Sequence, residues 1–157
     1  MARIKKAFFS GSFDLFHMGH LVAIKKAKQE AEKRNAKLIV GINTDSLYRR
    51  YKQKEPTIPY KYRKEIVEAL KYVDETIPAY STNKMSILKK YKIDIFVICE
   101  EWKNSHQEEQ KYMKETSREI IILPYFKGIS ASEIRDKLIQ NYRDHEKTLC
   151  DECHKKL

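Results

Sequence analysis

Apolar residues return along this chain in two rhythms. Short continuous runs fall at 3–10 (Ile4, Ala7, Phe8, Phe9), 37–43 (Leu38, Ile39, Val40, Ile42), 73–78, 93–98 and 119–123. Such runs suit parallel strands buried on both faces. Between them, apolar positions recur at helical spacing: Leu21, Ile24, Ala27 and Ala31 within 18–34, then Ile66, Ala69 and Leu70 within 62–72. Further helical stretches are expected at 83–91, 105–116 and 131–144. Strands that alternate with helices in this way predict an α/β fold: a doubly wound five-stranded parallel sheet with helices on both faces.

The polar breaks are equally informative. Thr44-Asp45-Ser46 offers an N-cap for a short helix, and Ser130 stands three residues before Glu133 in capping-box spacing. Residues 49–61 form the most polar loop, where Pro56 and Pro59 forbid a regular element. In open parallel sheets, ligands sit beyond the C-terminal strand ends. Residues 10–20, Thr44 with Asp45, Glu100 to Trp102 and Gly128 to Ser132 all fall at such ends.

One of these ends carries most of the chemistry. The run Phe8-Phe9 arrives, turns at Ser10-Gly11-Ser12 and leads through Phe13-Asp14 into His17-Met18-Gly19-His20. A strand, a small-residue turn and a helix start make a phosphate site, because the first helical N–H groups lack intrahelical partners and the dipole is positive there. His17 and His20 are three apart, so one helical turn places both rings on the same face. A histidine near a helix start is ordinarily polar surface, and a pair could be half a metal site. The gathering of Gly, Ser, Asp and both His after a strand favours phosphate. No residue is assigned to a metal.

Composition narrows the class. A chain of 157 residues with 41% hydrophobic and 34% charged residues reads as one globular domain. The domain is expected over 1–143, with 144–157 as a tail. No apolar run is long enough for a membrane span, and the N-terminus lacks the apolar core of a signal peptide, so the expected location is cytoplasmic. The net charge of +10 fits nucleic acid, an anionic membrane, polyanionic substrates or simply lysine-rich composition. No nucleic-acid motif accompanies it. Cys99 ends an apolar run and is expected to be a buried thiol. Cys150, Cys153 and His154 match a C-x-x-C-H pattern, open to incidental thiols, half a zinc site or, with export, haem attachment.

The stretch Gly11-Ser12-Phe13-Asp14-Leu15-Phe16-His17-Met18-Gly19-His20 resembles the G-[TS]-F-D-x-x-H-x-G-H signature of the cytidylyltransferase family, within the HxGH nucleotidylyltransferases. The resemblance covers roughly residues 3–140. Tyr62-Arg63-Lys64 followed by Lys71-Tyr72-Val73-Asp74-Glu75 is similar to the family's stretch of helix and strand, and Lys52 and Lys54 fall in its lysine-containing loop. Glu100-Glu101-Trp102 resembles its Asp-Asp-Trp, and Gly128-Ile129-Ser130 its Gly-Ile-Ser. Tyr125-Phe126-Lys127 departs from the family's Arg-Thr-Glu, which bears on the acceptor and on the choice of nucleotide.

The resemblance implies a Rossmann-like fold, a homodimer, and transfer of CMP from CTP to a small phosphorylated acceptor such as glycerol 3-phosphate, with Mg²⁺ carried by the CTP. It implies catalytic roles for His17, His20, Lys52 and Arg63, the last two on the acceptor phosphate and α-phosphate. Nucleotide binding would fall to Ser10, Gly11, Ser12, Phe13, Asp14, Gly19, Glu100, Trp102, Lys127, Gly128, Ile129, Ser130 and Ser132. Asp14 is expected either to orient a ligand or to brace the turn, and Trp102 either to line the pocket or simply to be half-buried. The rival readings are an ATP-using adenylyltransferase of the same superfamily and a non-catalytic nucleotide- or nucleic-acid-binding relative.

Overall fold

The computed structural model describes residues 3–154, with side chains through residue 145. The strands are β1 (Lys5–Gly11), β2 (Ala36–Asn43), β3 (Glu75–Ala79), β4 (Ile95–Cys99) and β5 (Glu119–Leu123). They form one all-parallel sheet in the order β3-β2-β1-β4-β5. The chain winds outward from β1 through β2 to β3, then crosses back to β4 and β5. The reversal opens a crevice above the C-terminal ends of β1 and β4.

Alternation along each strand builds two cores. Ala7, Phe9, Leu38, Val40, Ile95 and Val97 face α1 (Met18–Glu32) and α3 (Tyr60–Glu68), where Ile24, Ala27, Ala31 and Val67 are buried. Phe8, Ile39, Ile77, Phe96 and Ile98 face the other way, toward α4 (Met85–Lys90) and α5 (Gln107–Glu115), meeting Leu88 and Met113. Burying a large apolar side chain of this kind stabilises by about 1.5–3 kcal/mol. Gly41 is required by this packing, since a Cβ there would stand 2.6 Å from the Phe8 ring. Pro78 is tolerated in β3 because that strand is at the sheet edge.

Three segments differ from the sequence expectation. The polar stretch at 49–61 begins as helix: α2 (Asp45–Lys52) starts at Thr44, whose hydroxyl accepts from the Leu47 N–H, and ends at Gln53 with φ 55°. Leu47 and Tyr48 bury its inner side, so the irregular loop is only 53–59. In α3 the inward residues are Arg63 and Val67, while Ile66 is 39% exposed and Ala69 is also exposed. The last helix, α6 (Ala131–His154), continues well beyond residue 144.

A 3₁₀ helix, Glu100–His106, links β4 to α5. Cys99 is half-buried, and burial followed by the Glu101 charge pushes its thiol up to about 11. The side chains of Cys150, Cys153 and His154 lie outside the described part. Among the described residues, no helix is long and apolar enough to cross a membrane.

Candidate active site

The turn after β1 uses left-handed backbone at Phe13 (φ 54°) and Leu15 (φ 46°) and delivers His17 as the N-cap of α1. His17 Nδ1 accepts from the Gly19 N–H at 3.1 Å, and His20 Nδ1 accepts from the His17 N–H at 3.4 Å. The two imidazoles thus form a reciprocal capping box. Their rings stack at 3.9 Å with 28° between planes. Gly19 permits this, because a Cβ there would lie 2.9 Å from His17 Cε1.

Since each Nδ1 accepts, each neutral ring carries its proton on Nε2. Burial depresses both: His17 is lowered despite the Glu133 charge, and His20 falls to about 3 through burial and then the neighbouring His17, against the pull of Asp14. At neutral pH the pair therefore presents two uncharged N–H donors. Between pH 6.5 and about 3, the unfolded chain takes up a proton at His20 that the folded chain refuses. His20's contribution is then full above pH 6.5 and lost as pH falls. We expect the melting temperature to drop from pH 7 to pH 4 by the equivalent of about 2–3 kcal/mol for this residue. His20→Gln is expected to flatten that part of a stability–pH profile.

Asp14 braces more than the turn. Its buried carboxylate accepts from the Thr57 N–H (3.0 Å), the Ile58 N–H (2.8 Å) and the Tyr48 hydroxyl (3.3 Å), and meets Arg135 at 3.4 Å. Burial opposes its charge, but these donors leave it ionised below the ordinary carboxylate value. Arg63, expected on phosphate, is 0% exposed and is not among the residues that line the crevice. Its guanidinium donates to the carbonyls of Ile58 (2.8 Å), Asn43 (2.9 Å) and Ser12, and to Asp45 at 2.7 Å. Asp45 in turn accepts from the Tyr60 N–H. Arg63 therefore ties together the β1 turn, the end of β2 and the 53–59 loop.

The crevice is a cavity of about 920 Å³. Of the residues singled out in the sequence, Ser10, Gly11, Ser12, Phe13, Asp14, His17, Gly19, His20, Lys52, Trp102, Ile129, Ser130 and Ser132 line it. Arg63, Glu100, Lys127 and Gly128 do not. Lys52 stands exposed at the rim, its Nζ 5.4 Å from the Tyr51 ring centre. The Ser12 hydroxyl bonds Tyr51 Oη and receives Asn43 Nδ2 at 3.2 Å. Close beside Gly19, the N-terminus of α6 carries the capping box foreseen in the sequence: Ser130 N–H to Glu133 at 2.6 Å, and Glu133 N–H to Ser130 Oγ at 3.2 Å.

Sequence reasoning missed several lining residues, among them Asn43, Lys84, His106, Glu109, Phe126 and Arg135. Lys84 is 3% exposed. Its Nζ donates to Ser81 O at 2.6 Å and Asn43 Oδ1 at 3.2 Å, leaving one N–H for a ligand. Burial pushes its ammonium down to about 8, against the Glu109 carboxylate, so it remains mostly charged at neutral pH. Arg135 lies one turn into α6, with its Nη2 3.4 Å from Ser132 Oγ. The rule that placed the other candidates, looking just past each strand, also covers Asn43 at the end of β2 and Lys84 after β3.

Residues 8–137 match the cytidylyltransferase-like family. The chain belongs to the cytidylyltransferase-like family. As a member it is a nucleotidyltransferase. It is 38% identical over 133 residues to a glycerol-3-phosphate cytidylyltransferase of Bacillus spizizenii, covering 84% of this chain and 95% of that one. A Bacillus subtilis protein of the same name is 34% identical over 137 residues, covering 86% and 98%. Among solved structures, a lipopolysaccharide core biosynthesis protein from Thermoplasma volcanium superposes with a TM-score of 0.63 at 25% identity, over 80% of this chain and 98% of that one. The superposition shows a shared α/β fold.

Proposed function

We propose that this enzyme transfers CMP from CTP to a small phosphorylated acceptor of the glycerol 3-phosphate kind, releasing pyrophosphate. The observation that carries the reading is the pair of neutral imidazoles, both with Nε2–H free, stacked at a helix N-terminus across a crevice from Lys84. A phosphate oxygen of the acceptor attacks the α-phosphorus in line and pyrophosphate departs. The nucleophile is already anionic, so catalysis is positioning plus stabilisation of charge on the transferring group.

His17 and His20 donate to the triphosphate around the α-phosphorus. Lys84 holds the acceptor phosphate, and Lys52 closes the rim above it. Ser130, Ser132 and the α6 N-terminus take the outer phosphates. Arg135 supplies the guanidinium that Tyr125-Phe126-Lys127 lacks relative to the family's Arg-Thr-Glu. Among the described residues, no group of three or more His, Cys, Asp or Glu is placed to hold a metal ion. Asp14 is moreover committed to backbone. The donor set thus suits a Mg²⁺ held by phosphate oxygens and water rather than by a carboxylate cage. When bound with CTP, the ion neutralises charge on the phosphates. The resemblance further supports a homodimer, which light scattering would test.

The decisive experiment is pyrophosphate release from CTP, and separately from ATP, with a panel of small phosphorylated acceptors. Turnover is expected with CTP and glycerol 3-phosphate. Lys84→Met is expected to raise the acceptor KM at least about tenfold while leaving the KM for CTP within about threefold. Release from ATP alone, or from neither nucleotide with any acceptor, overturns the reading.

A further inference from the structure

One pair lining the crevice, the half-buried His106 and the buried Glu109, is given no role in the reading above. Glu109 is 2% exposed, yet it sits on α5 among apolar neighbours of the second core. A buried carboxylate is expensive unless its oxygens are taken. Glu109 Oε1 accepts the Lys84 backbone N–H at 2.7 Å and meets His106 Nδ1 at 3.2 Å. The His106 ring is clamped further by Phe96, edge-on at 5.5 Å between ring centres. Both His106 and Glu109 line the cavity, in the corner that Lys84 also lines.

A carboxylate at Nδ1 holds that nitrogen protonated, which leaves Nε2 of the neutral ring as a hydrogen-bond acceptor. This is the reverse of His17 and His20, whose Nδ1 atoms accept from backbone. The two ends of the crevice thus present opposite imidazole faces: donors for phosphate at α1, and an acceptor beside Lys84. A ligand whose phosphate rests on Lys84 would meet His106 with its far end.

We infer that His106, positioned by Glu109, reads a hydroxyl group on the acceptor and so sets acceptor specificity. The inference rests on the cytidylyl-transfer reading. A hydroxyl suits the corner better than an ammonium group, because the Lys84 cation is already there and Glu109 Oε1 is already shared by the Lys84 N–H and His106. A site built to bond a hydroxyl rejects analogues lacking it far more strongly than an apolar pocket rejects a missing methylene.

The test compares glycerol 3-phosphate, propyl phosphate and phosphoethanolamine as acceptors with CTP, in wild type, His106→Phe and Glu109→Gln. Wild type is expected to favour glycerol 3-phosphate over the other two by at least about tenfold in kcat/KM. In His106→Phe that ratio is expected to collapse toward one, with the KM for CTP unchanged. Glu109→Gln, which keeps an acceptor for the Lys84 N–H, is expected to lower the ratio to an intermediate value. A merely structural pair would shift melting temperature without moving the ratio. A wild type indifferent to the hydroxyl, or variants that keep the wild-type ratio, overturn the inference. A wild type inactive with every phosphorylated acceptor overturns the transfer reading instead, before any variant is made.

Discussion

His17→Ala is expected to lower kcat by about 10²–10³, the cost of removing one well-placed donor to a developing anion. Pyrophosphate release at saturating CTP and acceptor measures it. The same substitution also removes the cap on the Gly19 N–H, which costs about 1 kcal/mol of stability. His17→Asn separates the two effects. Its side-chain oxygen is short enough to accept at the cap, but it places no donor where Nε2–H stood. Stability is expected to recover in His17→Asn while kcat stays low. Should both variants turn over at near wild-type rate, the histidine pair serves only as a helix cap and the mechanism above is wrong.

Arg63→Met carries the largest expected stability effect. Four hydrogen bonds converge on this side chain, three to carbonyls and one to Asp45, and none of its surface reaches solvent. Methionine matches much of the length and strands every partner. Truncating one member of a buried charged network typically costs about 3–5 kcal/mol. Urea unfolding is expected to show an unfolding free energy lower by that amount, with a correspondingly lower midpoint. The partners are the β1 turn and the 53–59 loop, so activity should fall too, because Arg63, although it does not itself line the crevice, holds Ser12 and Asn43, which do. An unfolding free energy within about 1 kcal/mol of wild type would mean the network relaxes around the gap.

How legible this was follows from where polarity and burial agree. The apolar runs located all five strands, and β5 at 119–123 has the bounds the pattern suggested. The helix at 18–32 likewise followed its Leu21, Ile24, Ala27 and Ala31 spacing. Reading failed where a polar residue turned inward. Hydrophobic spacing in α3 pointed to Ile66 and Ala69, but the helix is rotated because Arg63 finds carbonyls from Ser12, Asn43 and Ile58. Those partners are 51, 20 and 5 residues away in sequence, so no local pattern announces them. Glu109 is hidden in the same way within a helix that reads as polar throughout. The histidine pair was readable because its partners, Gly19 N–H and His17 N–H, lie within one turn. The turn after β1 was local chemistry, whereas another part of the crevice is assembled from residues 82–84, the 3₁₀ helix and the start of α5, distant in sequence.

The segment 53–59 is clasped from both sides, by Asp14 at Thr57 and Ile58 and by Arg63 at Ile58. A rim loop held this way arrives already ordered. Substrate capture then costs little conformational entropy in that loop, and its affinity reflects contacts made rather than chain immobilised. Calorimetry of nucleotide binding should accordingly report the small heat-capacity change of a ligand entering a standing cleft, not the larger one of a loop folding over its guest.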